Sequence, residues 1–198
     1  DTIHLDQVPF KHAADSLAFP AQNAAAGVRF ALTQTGLPME TLLCNAARIA
    51  SLARSQGCTH LHAHFAWDTA AHAIVAARLI GASVSFVGHG HDIYGTPIDL
   101  PLKLRASDFA VAICDDMARD LEAQAPGARV KVVPFGVDPN RFHPCDPDVP
   151  CNGRLLFIGR LVESKGVTDL LMALAQLPVG RRPELDIIGD GDRESTRL

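Results

Sequence analysis

The sequence predicts an α/β protein in which strands of a parallel sheet alternate with helices. Short β-branched and apolar runs of four or five residues recur along the chain, and Ala- and Leu-rich stretches with helical apolar spacing separate them. Strands that alternate with helices in this way build parallel sheets from β-α-β units. The length of 198 residues is enough for one large domain or two small ones.

The elements of the first part of the chain follow one another as this class requires. Residues 13–32 contain helical stretches that Pro20 interrupts, and Pro38 marks the start of an amphipathic helix. The segment at residues 68–80 is apolar nearly all round, which predicts a buried helix that Gly81 ends. The predicted helices lie at residues 39–53, 68–80 and 115–124, and the predicted strands at residues 59–64, 83–87, 109–113 and 130–133.

A second set of elements begins after a proline-rich segment. Residues 134–153 contain five prolines and little periodicity, which indicates a linker or a long crossing loop. Strands are then expected at residues 154–158 and 184–188, with Ser164 as the cap of the helix between them. The predicted domains are residues 1–152, which include the proline-rich segment, and residues 153–198.

The composition excludes several classes of function. Hydrophobic residues make up 47% of the chain and charged residues 20%, which is ordinary for a soluble globular protein. The net charge is −4, and no run of Lys and Arg indicates a surface for nucleic acid or an anionic membrane. No apolar stretch approaches the roughly 20 residues that span a bilayer. Five scattered cysteines favour free thiols in a reducing compartment.

The turn after the strand at residues 154–158 has the residues of a phosphate site. Open parallel sheets bind ligands at the carboxyl ends of their strands, and Arg160 and Lys165 supply a planar fork and a point charge that suit phosphate. Lys165 is expected in the first turn of a helix, where the dipole disfavours a cation unless an anion is bound. Gly159 and Gly166 allow close approach of backbone. Spacing alone supports a diphosphate site and a plain solvated loop about equally.

Histidines occupy one strand of the first domain and follow the next. His62 and His64 alternate, so their side chains share one face of a strand. His89 and His91 lie between glycines after the next strand, where an imidazole can bind a hydroxyl or phosphate oxygen or transfer a proton. The plain alternative is a histidine that backbone groups satisfy in a tight turn. A metal-dependent hydrolase built on these four histidines is another alternative, without a firm set of further ligands.

Five segments, taken in order, resemble the retaining glycosyltransferases of family 4, which have the GT-B fold. They read HAHF at residues 62–65, FVGHGHDIY at 86–94, VVPFGVDPNRF at 132–142, LFIGRLVESKG at 156–166 and IIGDG at 187–191. The resemblance runs from about residue 59 to 193. Gly88, Phe135 and Asp192 stand where Thr, Asn and Pro are common in the family.

The resemblance implies two Rossmann-like domains, the second truncated, and an enzyme that transfers a hexosyl-type sugar from a nucleotide diphosphate sugar with retained configuration. It implies that Arg160 and Lys165 stabilise the leaving diphosphate and that His89 faces the transferred sugar. Asp92 either orients His89 or binds acceptor. The implied site residues are catalytic His89, Arg160 and Lys165, donor-binding Gly159, Arg160, Lys165, Gly189 and Gly191, and acceptor-side His64 and Asp92. Neither a metal nor a cofactor is expected.

The expected partners are the nucleotide-sugar donor and an acceptor that is a glycan, a lipid-linked molecule or a small molecule, in polysaccharide biosynthesis. The expected location is cytoplasmic, with the cytoplasmic face of the membrane left open, and nucleic acid is not expected as a partner. The family's Gly-rich acceptor loop and Glu-x7-Glu donor motif are expected outside residues 1–198, so we expect an inactive fragment. A non-catalytic nucleotide-sugar-binding module remains an alternative, and the sugar, base, acceptor and oligomeric state stay open.

Overall fold

A computed structural model describes Thr2, His4 and residues 19–144 and 153–191. The chain forms two compact units, Asp1–Gly136 and Val137–Leu198. The division between them falls inside the proline-rich segment, and the domain boundary near residue 152 stays a prediction. Three sets of predictions lie outside the described residues, namely the helical stretches at 13–18, the linker at 145–152 and the family departure at Asp192.

The first unit is built around a four-stranded parallel sheet, which confirms the predicted α/β class. The strands are neighbours in chain order, β1-β2-β3-β4. Each crossover between them contains a helix, as parallel pairing requires. The elements are α1 (Ala21–Ala31), α2 (Met39–Ser55), β1 (His60–His64), α3 (Asp68–Ile80), β2 (Ser83–Val87), α4 (Leu100–Ala106), β3 (Phe109–Ala112), α5 (Asp115–Gln124) and β4 (Val130–Val132).

Helix α3 is the centre of the core of this unit. It contacts α1, α2, α4, β1 and β2, and eight of its side chains are buried, including Ile74 and Val75. Fully burying an aliphatic side chain of this size contributes about 1.5–3 kcal/mol to stability. Gly81 ends α3 with a φ of +73°, a conformation that glycine adopts without steric cost. The predicted burial of this helix is therefore confirmed.

Two elements of the first unit have no counterpart among the sequence predictions. A π-helical turn covers His91–Gly95, and the seven-residue helix α4 follows it. Helix α4 is too short to show an apolar repeat, and Pro97 and Pro101 read as turn residues in the sequence. Together the two elements form the crossover from β2 to β3.

The second unit consists of a two-stranded parallel sheet and a connecting helix. Strands β5 (Leu155–Ile158) and β6 (Leu185–Ile188) pair in register, and helix α6 (Val167–Ala175) joins them. None of the described residues of this unit is buried. Across the described ranges of both units, no helix is long and apolar enough to cross a membrane.

The start of α6 corrects the sequence-based expectation. Ser164 does not cap the helix, because Glu163–Lys165 forms a separate 3-10 turn and Gly166 is the residue before α6. Gly166 has a φ of +69°, which breaks the right-handed helical path between the two. Lys165 therefore lies before the helix and not in its first turn.

Candidate functional site

The carboxyl ends of β1 and β2 bring two turns of the first unit side by side. Parallel pairing places His64 opposite Val87, so the chain leaves both strands at the same edge of the sheet. Phe65 and Ala66 follow β1, and the His89 turn follows β2. This edge is where open parallel sheets bind their ligands.

Asp92 fastens these two turns to each other. Its carboxylate is fully buried, and it accepts the backbone N–H of His89 at 2.8 Å and that of Ala66 at 2.5 Å. The buried Lys103 lies nearby and donates from Nζ to the Ile98 carbonyl at 2.8 Å. Of the two roles weighed for Asp92, this geometry favours orientation of the His89 backbone, because the carboxylate has no exposed surface for an acceptor.

Lys103 offsets the negative charge of the buried clamp, by which we mean the Asp92 carboxylate with its two backbone donors, His89 and Ala66. Burial lowers the pKa of Lys103, and the neighbouring carboxylates of Asp99, Asp68 and Asp92 oppose that effect. A buried carboxylate and a buried ammonium are each costly alone, and each lowers the cost of the other. The clamp and Lys103 therefore form one buried electrostatic group beneath the two turns.

The imidazole of His89 lies among aromatic rings. Its centroid is 4.4 Å from that of Phe65, 5.8 Å from that of His64 and 5.7 Å from that of Phe135. Its Nε2 atom is buried and has no hydrogen-bond partner among the described residues. A buried polar atom without a partner costs free energy, and such atoms in native proteins point to a missing ligand or water. The structure thus brings His64 and His89 together, whereas the ring of His91 packs against Trp67 at 5.2 Å.

The histidines of β1 share one face, as predicted, and two serines of β2 bind them. The Oγ of Ser83 lies 2.7 Å from His60 Nδ1, and the Oγ of Ser85 lies 2.8 Å from His60 Nε2 and 2.7 Å from His62 Nδ1. Ser83 donates its hydroxyl proton to the Thr59 carbonyl at 3.2 Å. Ser83 must then accept from His60 Nδ1. If both rings are neutral, Ser85 donates to His60 Nε2 and accepts from His62 Nδ1.

This chain of hydrogen bonds leaves the Nε2 atom of His62 as a proton acceptor. Burial lowers the pKa of His62, and the charges of His64 and His60 lower it further. The two serines were missed as partners in the sequence. The signal for them is the strand register, because Ser83 and Ser85 stand opposite His60 and His62 when β1 and β2 pair.

No metal centre forms from these histidines in the described part of the chain. Over residues 19–144 and 153–191, together with Thr2 and His4, no three His, Cys, Asp or Glu side chains are grouped so that they could hold a metal ion. The hydrolase alternative built on the four histidines has no support from this arrangement.

The carboxyl edge of the second unit forms an open cleft of about 460 Å³. Its lining includes Arg160 and the turns at residues 158–162 and 188–191. The Leu161 N–H donates to the Asp190 carbonyl at 2.8 Å, which ties the two turns together. Lys165, in the 3-10 turn, is not part of this lining. The cleft therefore unites Arg160 with Gly159, Gly189 and Gly191, and leaves Lys165 beside it.

The glycines in and beside this cleft are there for different structural reasons. A Cβ atom on Gly189 would lie 1.8 Å from the carbonyl oxygen of Gly159, so packing of the two strand ends alone requires glycine there. Gly166 is required by its positive φ. A Cβ on Gly159 would meet only the Phe157 ring at 3.6 Å, an ordinary contact. The absence of a side chain at Gly189 is thus explained without a ligand, whereas the side of the cleft at Gly159 stays open.

Comparison with known proteins identifies a family for the first unit. Residues 13–141 match the family model described as Glycosyltransferase Family 4, which is more than half of the chain. The match includes the whole parallel sheet and the turns that Asp92 fastens, and it ends before β5. No curated protein matches the chain.

Proposed function

Because the chain belongs to Glycosyltransferase Family 4, we propose that it serves the transfer of a hexosyl-type sugar from a nucleotide diphosphate sugar to an acceptor, with retained anomeric configuration. The first unit is the acceptor-side domain in this proposal, and residues 153–198 open the donor-side domain. The role is glycan or polysaccharide biosynthesis in the cytoplasm or at the cytoplasmic face of a membrane.

The cleft of the second unit carries the donor part of the proposal. Arg160 lines it at the carboxyl end of β5, where a guanidinium can bind two phosphate oxygens at once. The glycine-rich turns leave room for a nucleotide against backbone. Lys165 would add a point charge from the neighbouring turn. Fixed positive charge at the leaving group stabilises the transition state as negative charge develops on the diphosphate.

His89 carries the part of the proposal that lies on the first unit. The unpartnered Nε2 of His89 is suited to a hydroxyl of the transferred sugar, and Asp92 holds the backbone that presents the ring. His64 stacks on the same imidazole and would border the sugar. The proposal needs no metal, since Arg160 and Lys165 would offset the charge of the diphosphate.

Calorimetric titration of the 198-residue chain with UDP, GDP and ADP tests the donor site. We expect one of these nucleotides to bind, and Arg160→Ala to weaken its binding by about 10- to 100-fold, the effect of one charge-assisted hydrogen bond of about 1.5–3 kcal/mol. Arg181→Ala is the matched control, because Arg181 does not line the cleft. Unchanged affinity in Arg160→Ala would remove the donor assignment.

Turnover is tested separately from binding. The chain is incubated with the sugar diphosphate of the nucleotide that binds and with a panel of glycoside acceptors, and the product anomer is read by NMR. Transfer with retention supports the whole proposal. Nucleotide binding without transfer is the result that an inactive fragment would give, so it does not by itself favour a nucleotide-sugar-binding module.

A further inference from the structure

Phe65 is an exposed aromatic residue on a strained backbone. Its φ is +74°, a region that bulky residues adopt only at an energetic cost, and 45% of the residue remains exposed. The strain is not repaid by burial of the ring. Strained residues of this kind persist when the surrounding structure holds them, and they cluster at ligand sites.

The hydrogen bonds around Phe65 fix its backbone in this conformation. The Phe65 N–H donates to the Val87 carbonyl at 3.0 Å, and the Thr69 hydroxyl is shared between the Phe65 carbonyl at 2.9 Å and the His64 carbonyl at 2.6 Å. The next N–H, that of Ala66, is the one held by the buried Asp92. Because three bonds from three elements converge here, the ring is presented to solvent from a rigid support.

The surroundings of the ring combine apolar faces with an unpartnered polar atom. The Phe65 ring lies 4.4 Å from the His89 ring and 6.4 Å from Trp67, nearly parallel to the latter at 21°. The His89 Nε2 atom lacks a partner. A pyranose ring has the complementary chemistry, because its C–H groups pack on the negative face of an aromatic ring while its hydroxyls bond to imidazole nitrogen.

We propose that Phe65 is the stacking platform for a pyranose ring of the acceptor, and that it holds this ring beside the His89 imidazole, which faces the transferred sugar. The inference rests on the proposed function and names the chemistry of its acceptor. A sugar is favoured over a nucleobase because the proposed nucleotide site lies at Arg160, in the other unit.

The single tryptophan of the chain provides the assay. Trp67 stacks on Phe65, so its fluorescence should change when methyl glucoside, methyl mannoside or methyl galactoside binds. Phe65→Gly removes the platform and should weaken glycoside binding by about 2- to 10-fold, the usual worth of an aromatic contact. Glycine tolerates a positive φ, so this variant is expected to fold. Phe65→Tyr should retain binding, as should the control Phe109→Leu, which changes an aromatic residue at the opposite end of the sheet.

The outcomes separate this inference from the proposed function. UDP, GDP or ADP affinity should be the same in Phe65→Gly and in the unchanged chain, since those ligands test the Arg160 cleft. The platform is overturned if no glycoside perturbs Trp67, or if Phe65→Gly binds glycosides as the unchanged chain does. Nucleotide affinity that falls in Phe65→Gly would place a nucleobase on Phe65, which rejects the acceptor assignment and leaves a nucleotide-dependent function standing.

Discussion

Asp92→Asn tests whether the buried carboxylate holds the candidate site together. The amide keeps one oxygen for one backbone N–H, but it turns an NH₂ group toward the other donor. The lost bond is one to a charged acceptor and is worth about 1.5–3 kcal/mol. Removing the charge also leaves the buried Lys103 with less compensation. The free energy of unfolding should therefore fall by about 1.5–3 kcal/mol, the value of the lost bond.

Urea unfolding followed by Trp67 fluorescence measures this loss in the first unit, where the tryptophan lies. Asp120→Asn is the control. Asp120 lies exposed on α5 and accepts from the Tyr94 hydroxyl at 2.7 Å, a bond that an amide oxygen can keep. The control should change the free energy of unfolding by less than about 0.5 kcal/mol. Equal values for Asp92→Asn and Asp120→Asn would refute the role of Asp92 in holding the two turns together.

Three further outcomes are expected. Gly189→Ala should destabilise the second unit by about 1–3 kcal/mol or more, because the new Cβ would lie 1.8 Å from the Gly159 carbonyl oxygen. The control Gly180→Ala should not destabilise it, because the space around Gly180 is open. NMR spectra should show changed β5 and β6 amide signals in Gly189→Ala and unchanged ones in Gly180→Ala. Burial lowers the pKa of His62 and of His72 from the ordinary value of 6.5, so the unfolded chain binds protons more readily at these two positions. The free energy of unfolding should therefore fall as pH drops below about 6.5, and it should fall less steeply in His62→Gln. Urea unfolding midpoints measured against pH would show this difference. Amide exchange should be much faster along β5 than along the buried β2, and equal protection would contradict the exposure of the second unit.

The strands could be predicted because short apolar runs and the glycines that flank them mark where each strand begins and ends. Residues 83–87 are apolar or small and stand between Gly81 and Gly88, and β2 has those limits. Residues 68–80 are apolar nearly all round, and α3 is largely buried accordingly. Helix α4 has no such signal, because its seven residues, which include Pro101, give no periodicity and its place depends on packing against α3 and α5.

The site was predictable in its residue types and not in its contacts. The sequence places His64 and His89 after neighbouring strands, and parallel pairing then brings them together. It does not show that Asp92 is buried, since a carboxylate in a Gly- and His-rich turn reads as an exposed group. The strain at Phe65 is equally hidden, because a positive φ at an aromatic residue arises from the bonds that surrounding elements impose.

The structure supports Arg160 more strongly than Lys165 as a ligand of the donor diphosphate. Lys165 pointed to a bound anion on the premise that it lay in the first turn of a helix, where the dipole disfavours a cation. In the structure Gly166 separates it from α6, and the dipole effect weakens beyond the first turn, so its position alone does not require an anion. Arg160 keeps its argument, because it lines the cleft directly. Arg160→Ala should therefore weaken nucleotide binding more than Lys165→Ala does. The reverse order would mean that the 3-10 turn moves toward the nucleotide on binding.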